Sequence, residues 1–271
     1  MPELPEVETV RRGIEPWILG RQITGVELRV VKLRQPLQTD LGRLLIGHTV
    51  HTVERRGKYL LLRFSGGNLI LHLGMSGFLR ILRKPAPAGR HDHVDICFSG
   101  GICLRLNDVR KFSTLLWTSD DPLVHPLLAD HGPEPLSEAL SGDYLFRCSR
   151  NRRLAVKPFI MDHRVVVGIG NIYANEALFR AGIHPALPAG GLSLTRYHTL
   201  AASIRQVLEE ALAAGGTTLR DFSNEKGRPG YFSLKLKVYG RTGEPCEVCG
   251  APIEISRIGQ RSSFYCRSCQ Q

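Results

Sequence analysis

Aromatic side chains are scarce in this chain. Phe, Tyr and Trp together make up 7% of its 271 residues, and Met occurs only three times. A surface that binds single-stranded nucleic acid by stacking successive bases needs more rings than this, so such a platform is not the first expectation. No apolar run approaches the roughly 18 residues of a membrane-spanning helix, and neither repeats nor low-complexity tracts occur. The opening residues, Met1-Pro-Glu-Leu-Pro-Glu, are acidic and broken by proline, unlike a secretory leader. Secretion and membrane insertion are therefore not expected. Acidic residues are also in deficit: 25 Asp and Glu face 36 Lys and Arg, a formal charge of +11. That excess favours a polyanionic partner, nucleic acid above all, although a basic protein with a merely solvated surface would share it. The hydrophobic fraction of 42% suffices for a sizeable core, and the length suggests roughly two domains.

Seven cysteines divide unevenly. Cys97, Cys103 and Cys148 stand alone and read as small buried apolar residues in a protein of a reducing cytosol. Cys246, Cys249, Cys266 and Cys269 form two C-x2-C pairs at ribbon spacing. Four thiolates close a tetrahedron around one structural Zn2+ and leave no open position for catalysis.

From Ile23 to about Leu116 short alternating runs are separated by glycine turns, as in Val26–Val31, Lys58–Phe64, Asn68–Gly74 and Val94–Phe98. This pattern predicts an antiparallel sandwich or barrel. Glu3 to Leu19 predicts a helix, with Pro5 tolerated in its first turn and Gly20 as the stop. After about His125 prolines and glycines mark a boundary and helical periodicity takes over. Ile172 to about Ala181 predicts a short helix. Thr195–Ala214 predicts a longer one, capped by Ser193, with an apolar stripe through Leu194, Tyr197, Leu200, Ala201, Ile204, Val207, Leu208, Ala211 and Leu212. Thr217–Tyr231 is long, polar and glycine-bearing, the composition of a functional loop.

Several residues could carry chemistry. Removal of Met1 would expose Pro2 as a secondary amine, and an α-amino group is far less protonated near neutrality than a lysine. Such an amine can attack an aldehydic sugar carbon and form an iminium, with Glu3 and Glu6 beside it to move protons. Gly168-Ile-Gly-Asn171 precedes a helix, so its amides can face a phosphate, with Arg150, Arg152, Arg153 and Lys157 upstream; a plain capping turn explains a lone G-x-G equally well. Arg257, Arg261 and Arg267 give the segment between the cysteine pairs a basic face. Met75, Arg110 and Phe112 sit near turns, where bulky side chains could fill the gap left by an extruded base. Taken singly, Met75 and Phe112 read as core residues.

In combination these motifs resemble one family. Pro2–Thr9, Lys58-Tyr-Leu, His72–Gly77, Gly168–Tyr173 and the four-cysteine finger are similar to formamidopyrimidine-DNA glycosylases, from Pro2 to Cys269. The resemblance implies an α+β multidomain fold: an N-terminal β-sandwich with a flanking helix (1–130), a helix–two-turn–helix domain (131–236) with a lesion-capping loop at about 217–231, and a C-terminal zinc-finger hairpin (237–271). It implies a monomeric, cytoplasmic, nucleoid-associated base-excision repair enzyme. This enzyme would bind double-stranded DNA between its domains, excise 8-oxoguanine and formamidopyrimidines, and cleave abasic sites by β,δ-elimination. Pro2 would form the Schiff base, Glu3 would supply a proton to open the sugar, Lys58 would assist β-elimination and Arg261 δ-elimination. His72, His91, Arg152, Lys157, Gly170 and Asn171 would contact DNA. Met75, Arg110 and Phe112 would fill the vacated stack, and Glu6, Thr217 and Tyr231 would line the lesion pocket.

The chain departs from the family at Asp108-Val-Arg-Lys-Phe-Ser113, where Asp-Pro-Arg-Arg-Phe-Gly is usual, so the turn loses a proline and a glycine and opposite-base stringency comes into question. Arg152 stands where lysine is common. Two other readings stay open: an endonuclease VIII-type enzyme for oxidised pyrimidines, and a damage-sensing DNA-binding protein without catalysis.

Overall fold

The computed structural model describes residues 2–84, 86–215 and 236–271. Packing separates the described residues into two units: one made of residues up to 129 with 214–215, the other of 130–213 and 236–271.

The first unit opens with α1 (Leu4–Ile18), which begins and ends within a residue of the sequence expectation; Pro5 sits in its first turn, and Gly20, with φ +72°, follows its end. Eight strands follow: β1 (Ile23–Leu28), β2 (Thr52–Arg56), β3 (Tyr59–Phe64), β4 (Gly67–His72), β5 (Phe78–Leu82), β6 (Asp92–Phe98), β7 (Ile102–Asn107) and β8 (Thr114–Thr118). They form two antiparallel four-stranded sheets, ordered β1-β6-β7-β5 and β2-β3-β4-β8. Alternate residues of both sheets, among them Leu60, Leu62, Leu69, Leu71, Val94, Ile96, Leu104 and Leu106, meet in one core that Val7, Val10, Ile14 and Ile18 of α1 also enter. The unbroken Leu60-Leu61-Leu62 run has a local reason: Leu61 faces the other way and packs with Ile70 and Leu128.

The second unit is helical: α3 (Gly142–Ser149), α4 (Val156–Met161), α5 (Asn171–Arg180) and α6 (Leu194–Gly215), α2 being a single turn at Leu41–Leu45. The stripe of α6 is buried from Tyr197 to Ala211, whereas Leu194, in the first turn, is exposed. β9 (Glu254–Ile258) and β10 (Arg261–Tyr265) form a hairpin in this same unit.

The lone cysteines depart from expectation. Cys97 and Cys103 are directly opposed on β6 and β7 and form a disulfide, with Cα atoms 4.0 Å apart. The reason is the register set by the short Ser99–Gly101 turn, which a residue-by-residue reading does not supply. Both cysteines, like the free Cys148, are half-buried.

Candidate active site and nucleic-acid interface

Pro2 and Glu3 precede α1, with Glu3 as its N-cap; the Glu6 carboxylate accepts the Glu3 amide at 2.8 Å, a local bond that fixes how the chain enters the helix. Two ties then aim the helix. Arg11 donates to the Val53 carbonyl at 3.1 Å, and Glu8 pairs with Arg55 at 3.1 Å. Moving toward the N-terminus of α1 therefore means moving toward the C-terminal end of β2. The helix start lies at the end of the sheet where β2 turns into β3. That turn is Gly57-Lys58, closed by the Arg56–Tyr59 pair, with Gly57 at φ +57° as a two-residue hairpin requires of its first position. Lys58 is thereby held at the tip. Arg55 also donates to the Gly57 carbonyl at 3.1 Å.

Glu8 is the hub of this tie, bonded to Arg11, Arg12 and Arg55. Burial pushes its acidity toward the neutral form, but hydrogen bonds from Arg11 and Arg12 and the charges of Arg11 and Arg55 outweigh that and hold its pKa below the ordinary range.

His72 ends β4 at the same end of the sheet, paired with Tyr59 in register and with its ring 4.6 Å away. Its Nδ1 accepts the Gly74 amide at 3.0 Å, which places the proton on Nε2. The β4–β5 and β7–β8 connections both cross between the sheets here, since His72 pairs with Thr114 and Phe78 with Asn107. Met75 and Phe112 are 38% and 40% exposed, so neither is a core residue, and the Arg110 guanidinium stacks 4.6 Å from the Phe112 ring centre. Close by, half-buried His91 lines a polar recess of about 350 Å3 with Arg29, Arg90 and Lys111.

In the second unit Gly168, at φ +82°, and extended Gly170 turn the chain into α5, with Asn171 as its first residue. Asn171 donates to the Ser262 carbonyl at 3.0 Å. Lys157 is placed differently from a surface contact: it has no exposed area, and its ammonium donates to the Ser262 carbonyl at 2.6 Å and the Ser263 hydroxyl at 2.7 Å. A buried ammonium needs such acceptors, so this lysine pins the β9–β10 hairpin to α4. Arg150 is half-buried, stacked 3.8 Å from the Phe146 ring and bonded to the Phe146 and Leu192 carbonyls. Arg152 and Arg261 are exposed. Arg261 flanks the Gly259-Gln260 turn, in which both residues have positive φ, at 56° and 61°.

Three residues that the sequence did not single out finish this unit. The Glu176 carboxylate accepts the amides of Lys237, Val238 and Tyr239 at 2.8–3.0 Å. Asn175 accepts the Phe264 amide at 2.9 Å, and Gln270 donates to the Ile183 carbonyl at 2.8 Å. Each is a buried polar residue in a helix or at the chain end, a weak signal until its partner is known.

The sulfurs of Cys246, Cys249, Cys266 and Cys269 lie within 4.8 Å of one another, with pairs at 3.4 and 3.9 Å. Zn–S bonds of about 2.3 Å set tetrahedral edges of roughly 3.8 Å, so the residues fit one structural zinc. Thr217 and Tyr231, with the 217–231 loop, lie outside the described residues. Among the described residues no helix is long and apolar enough to cross a membrane.

Comparison with known proteins gives a consistent picture. Residues 1–115 match the formamidopyrimidine-DNA glycosylase N-terminal domain, 131–223 the formamidopyrimidine-DNA glycosylase H2TH domain, and 243–271 a zinc finger found in FPG and IleRS. The chain is 59% identical over 270 residues to a formamidopyrimidine-DNA glycosylase of Geotalea uraniireducens and 58% over 271 residues to one of Methylococcus capsulatus, covering 100% of both chains in each case. Among solved structures it is similar to a Lactococcus lactis FPG variant in complex with Fapy-dG-containing DNA, with a TM-score of 0.90, 36% identity and 100% coverage of both chains. Two further Lactococcus lactis complexes, with abasic-site DNA and with DNA containing an oxidised pyrimidine, both give a TM-score of 0.89 and 35% identity, covering 99% of each chain and 100% of each chain respectively.

Proposed function

This chain belongs to the formamidopyrimidine-DNA glycosylase family, a zinc-finger DNA repair glycosylase acting on N-glycosyl bonds, and from that premise we propose how its own residues carry out the reaction. The substrate is double-stranded DNA carrying an oxidised purine, 8-oxoguanine or a formamidopyrimidine, or an abasic site, met in the cytoplasm. Pro2, once Met1 is removed, attacks C1′ of the flipped nucleotide with its nitrogen lone pair. The N-glycosidic bond breaks, the base leaves with a proton, and Glu3 protonates the ring oxygen as the sugar opens to the iminium. Loss of a C2′ proton expels the 3′ phosphate, with Lys58 holding that phosphate and supplying a proton. A second elimination, assisted by Arg261, expels the 5′ phosphate, and water releases the sugar fragment from Pro2.

The observation that carries this reading is the direction of α1 against β2. Glu8–Arg55 and Arg11–Val53 bring the helix start, with its amine and carboxylate, to the hairpin end that bears Lys58. His72, His91, Arg152, Gly170 and Asn171 hold phosphates, Glu6 and the 217–231 loop enclose the lesion, and Met75, Arg110 and Phe112 enter the vacated stack, Arg110 against the orphaned cytosine. The enzyme works as a monomer in three parts, 1–130, 131–236 and 237–271. The zinc, held by the four cysteines, orders the finger and takes no part in the chemistry.

The test is borohydride reduction during turnover. A covalent protein–DNA adduct should form with lesion DNA and vanish in Pro2→Gly; wild-type protein that binds lesion DNA and never traps would leave only the damage-sensing reading. The similarity to a complex with oxidised-pyrimidine DNA gives weight to a second substrate class. Parallel excision of 8-oxoguanine and thymine glycol decides between them, with the purine expected to be faster.

A further inference from the structure

One buried carboxylate fastens together the two crossovers that carry Met75, Arg110 and Phe112. Asp108 has no exposed surface, and each of its oxygens receives two hydrogen bonds. Oδ1 accepts the Ser76 hydroxyl at 2.6 Å and the Arg110 amide at 3.1 Å; Oδ2 accepts the Ser113 hydroxyl at 2.6 Å and the Ser113 amide at 2.8 Å. Its main chain is held as well, the amide by the His91 carbonyl at 2.9 Å and the carbonyl by His93 Nε2 at 2.7 Å. Ser113 is equally buried, and its single hydroxyl proton has the carboxylate at 2.6 Å and the Leu73 carbonyl at 3.2 Å as acceptors; distance and charge assign it to the carboxylate.

The two segments also run too close for slack. A Cβ on Gly74, whose φ is +62°, would stand 2.5 Å from the Phe112 carbonyl, and one on Gly77 would stand 2.3 Å from the Ser113 hydroxyl. Between Arg110 and Phe112, Lys111 is held at φ +56°, a conformation that a side chain avoids unless its surroundings impose it.

We propose that Asp108, with Ser76 and Ser113, positions Met75, Arg110 and Phe112 as one rigid set and so determines how strictly the base opposite the lesion is read. The inference rests on those three residues entering the vacated stack. Ser76 pulls the Met75 crossover onto the same carboxylate that shapes the Arg110–Phe112 turn. Neither crossover can then shift without the other, and Arg110 meets the opposite base in one place. An error of about 1 Å in such placement suffices to lose most of its effect.

The experiment compares single-turnover excision of 8-oxoguanine opposite cytosine and opposite adenine, and incision of a preformed abasic site, for wild type, Asp108→Asn, Ser113→Ala and Ser76→Ala. The Cys97→Ser/Cys103→Ser variant, altered at the other end of β6 and β7, controls for lost stability. In Asp108→Asn and Ser113→Ala the cytosine-over-adenine preference should narrow about tenfold, with abasic-site incision within about twofold and the cysteine variant keeping the full preference. Ser76→Ala should narrow it less, and it carries the test if Asp108→Asn does not fold. Folded variants with wild-type preference would overturn the inference while leaving the proposed function in place. A wild type that excises 8-oxoguanine with no opposite-base preference would overturn the stack-filling roles themselves, and the inference with them.

Discussion

Lys157 shows how far a charge can travel from the role its position suggests. Its ammonium is removed from water and satisfied by the hairpin it holds. Replacing it by methionine keeps the volume but removes both of these hydrogen bonds and takes the donor away from the buried Ser263 hydroxyl, so Lys157→Met should cost about 2–4 kcal/mol. Thermal unfolding measures that loss, and faster zinc release to a chromogenic chelator should accompany it, because the hairpin joins the two cysteine pairs. A variant as stable and as zinc-retentive as wild type would show that the pin is dispensable. The Cys97–Cys103 bridge closes a loop of only six residues, and chain entropy over so short a loop is worth about 2 kcal/mol at most. The Cys97→Ser/Cys103→Ser variant should therefore unfold slightly earlier in denaturant, without becoming unfolded under native conditions.

Among the elements, α1 and the β2–β3 hairpin depend on each other through Glu8. Glu8→Gln keeps the shape and removes the charge that Arg11, Arg12 and Arg55 share. A loss of about 2–3 kcal/mol is expected, together with a fall in trapped adduct larger than any change in DNA affinity. The same group sets part of the acid limit. Its folded pKa is depressed, as are those of Asp95 and Asp108, where burial opposes and hydrogen bonds outweigh it. Stability from these groups is present in full above their unfolded values, 4.5 for Glu8 and 3.8 for the aspartates, and drains away as pH falls below them. Melting temperatures from about pH 6 down to about pH 3 should fall below pH 4–5 and less steeply in Glu8→Gln. In the zinc hairpin, Gln260 occupies a left-handed position, so Gln260→Gly should relieve backbone strain and raise the melting temperature slightly in thermal unfolding.

At the scale of the molecule, periodic signals were legible and coincidences were not. The helix after Pro2, the α6 stripe and the cysteine ribbon follow from spacing, because a local period reports a local face. That Met75 and Phe112 are exposed depends on two crossovers meeting at one end of a sandwich, through the pairs His72–Thr114 and Phe78–Asn107, which are remote from each other in sequence. The same holds for Lys157, whose partners lie 105 and 106 residues on. Buried charge escaped the sequence reading too: Asp95 and Arg105 alternate with core residues on β6 and β7, and pair at 2.6 Å. The net charge of +11 is a property of the whole chain. Non-specific duplex affinity should fall steeply with salt, and Arg261→Ala should lower the slope of log affinity against log salt by about one without altering the lesion preference.

Because the Gly57-Lys58 turn, His72, His91 and the turn after Asn107 all lie at one edge, the turns at Ser65–Gly66 and Ser99–Gly101 are left at the opposite edge of the first unit. The space around Gly101 is open, but its φ of +74° suits glycine, so the site takes an insertion beside it and not a substitution. A fluorophore or purification handle grafted there would report on the enzyme from behind, leaving the chemistry undisturbed at the front.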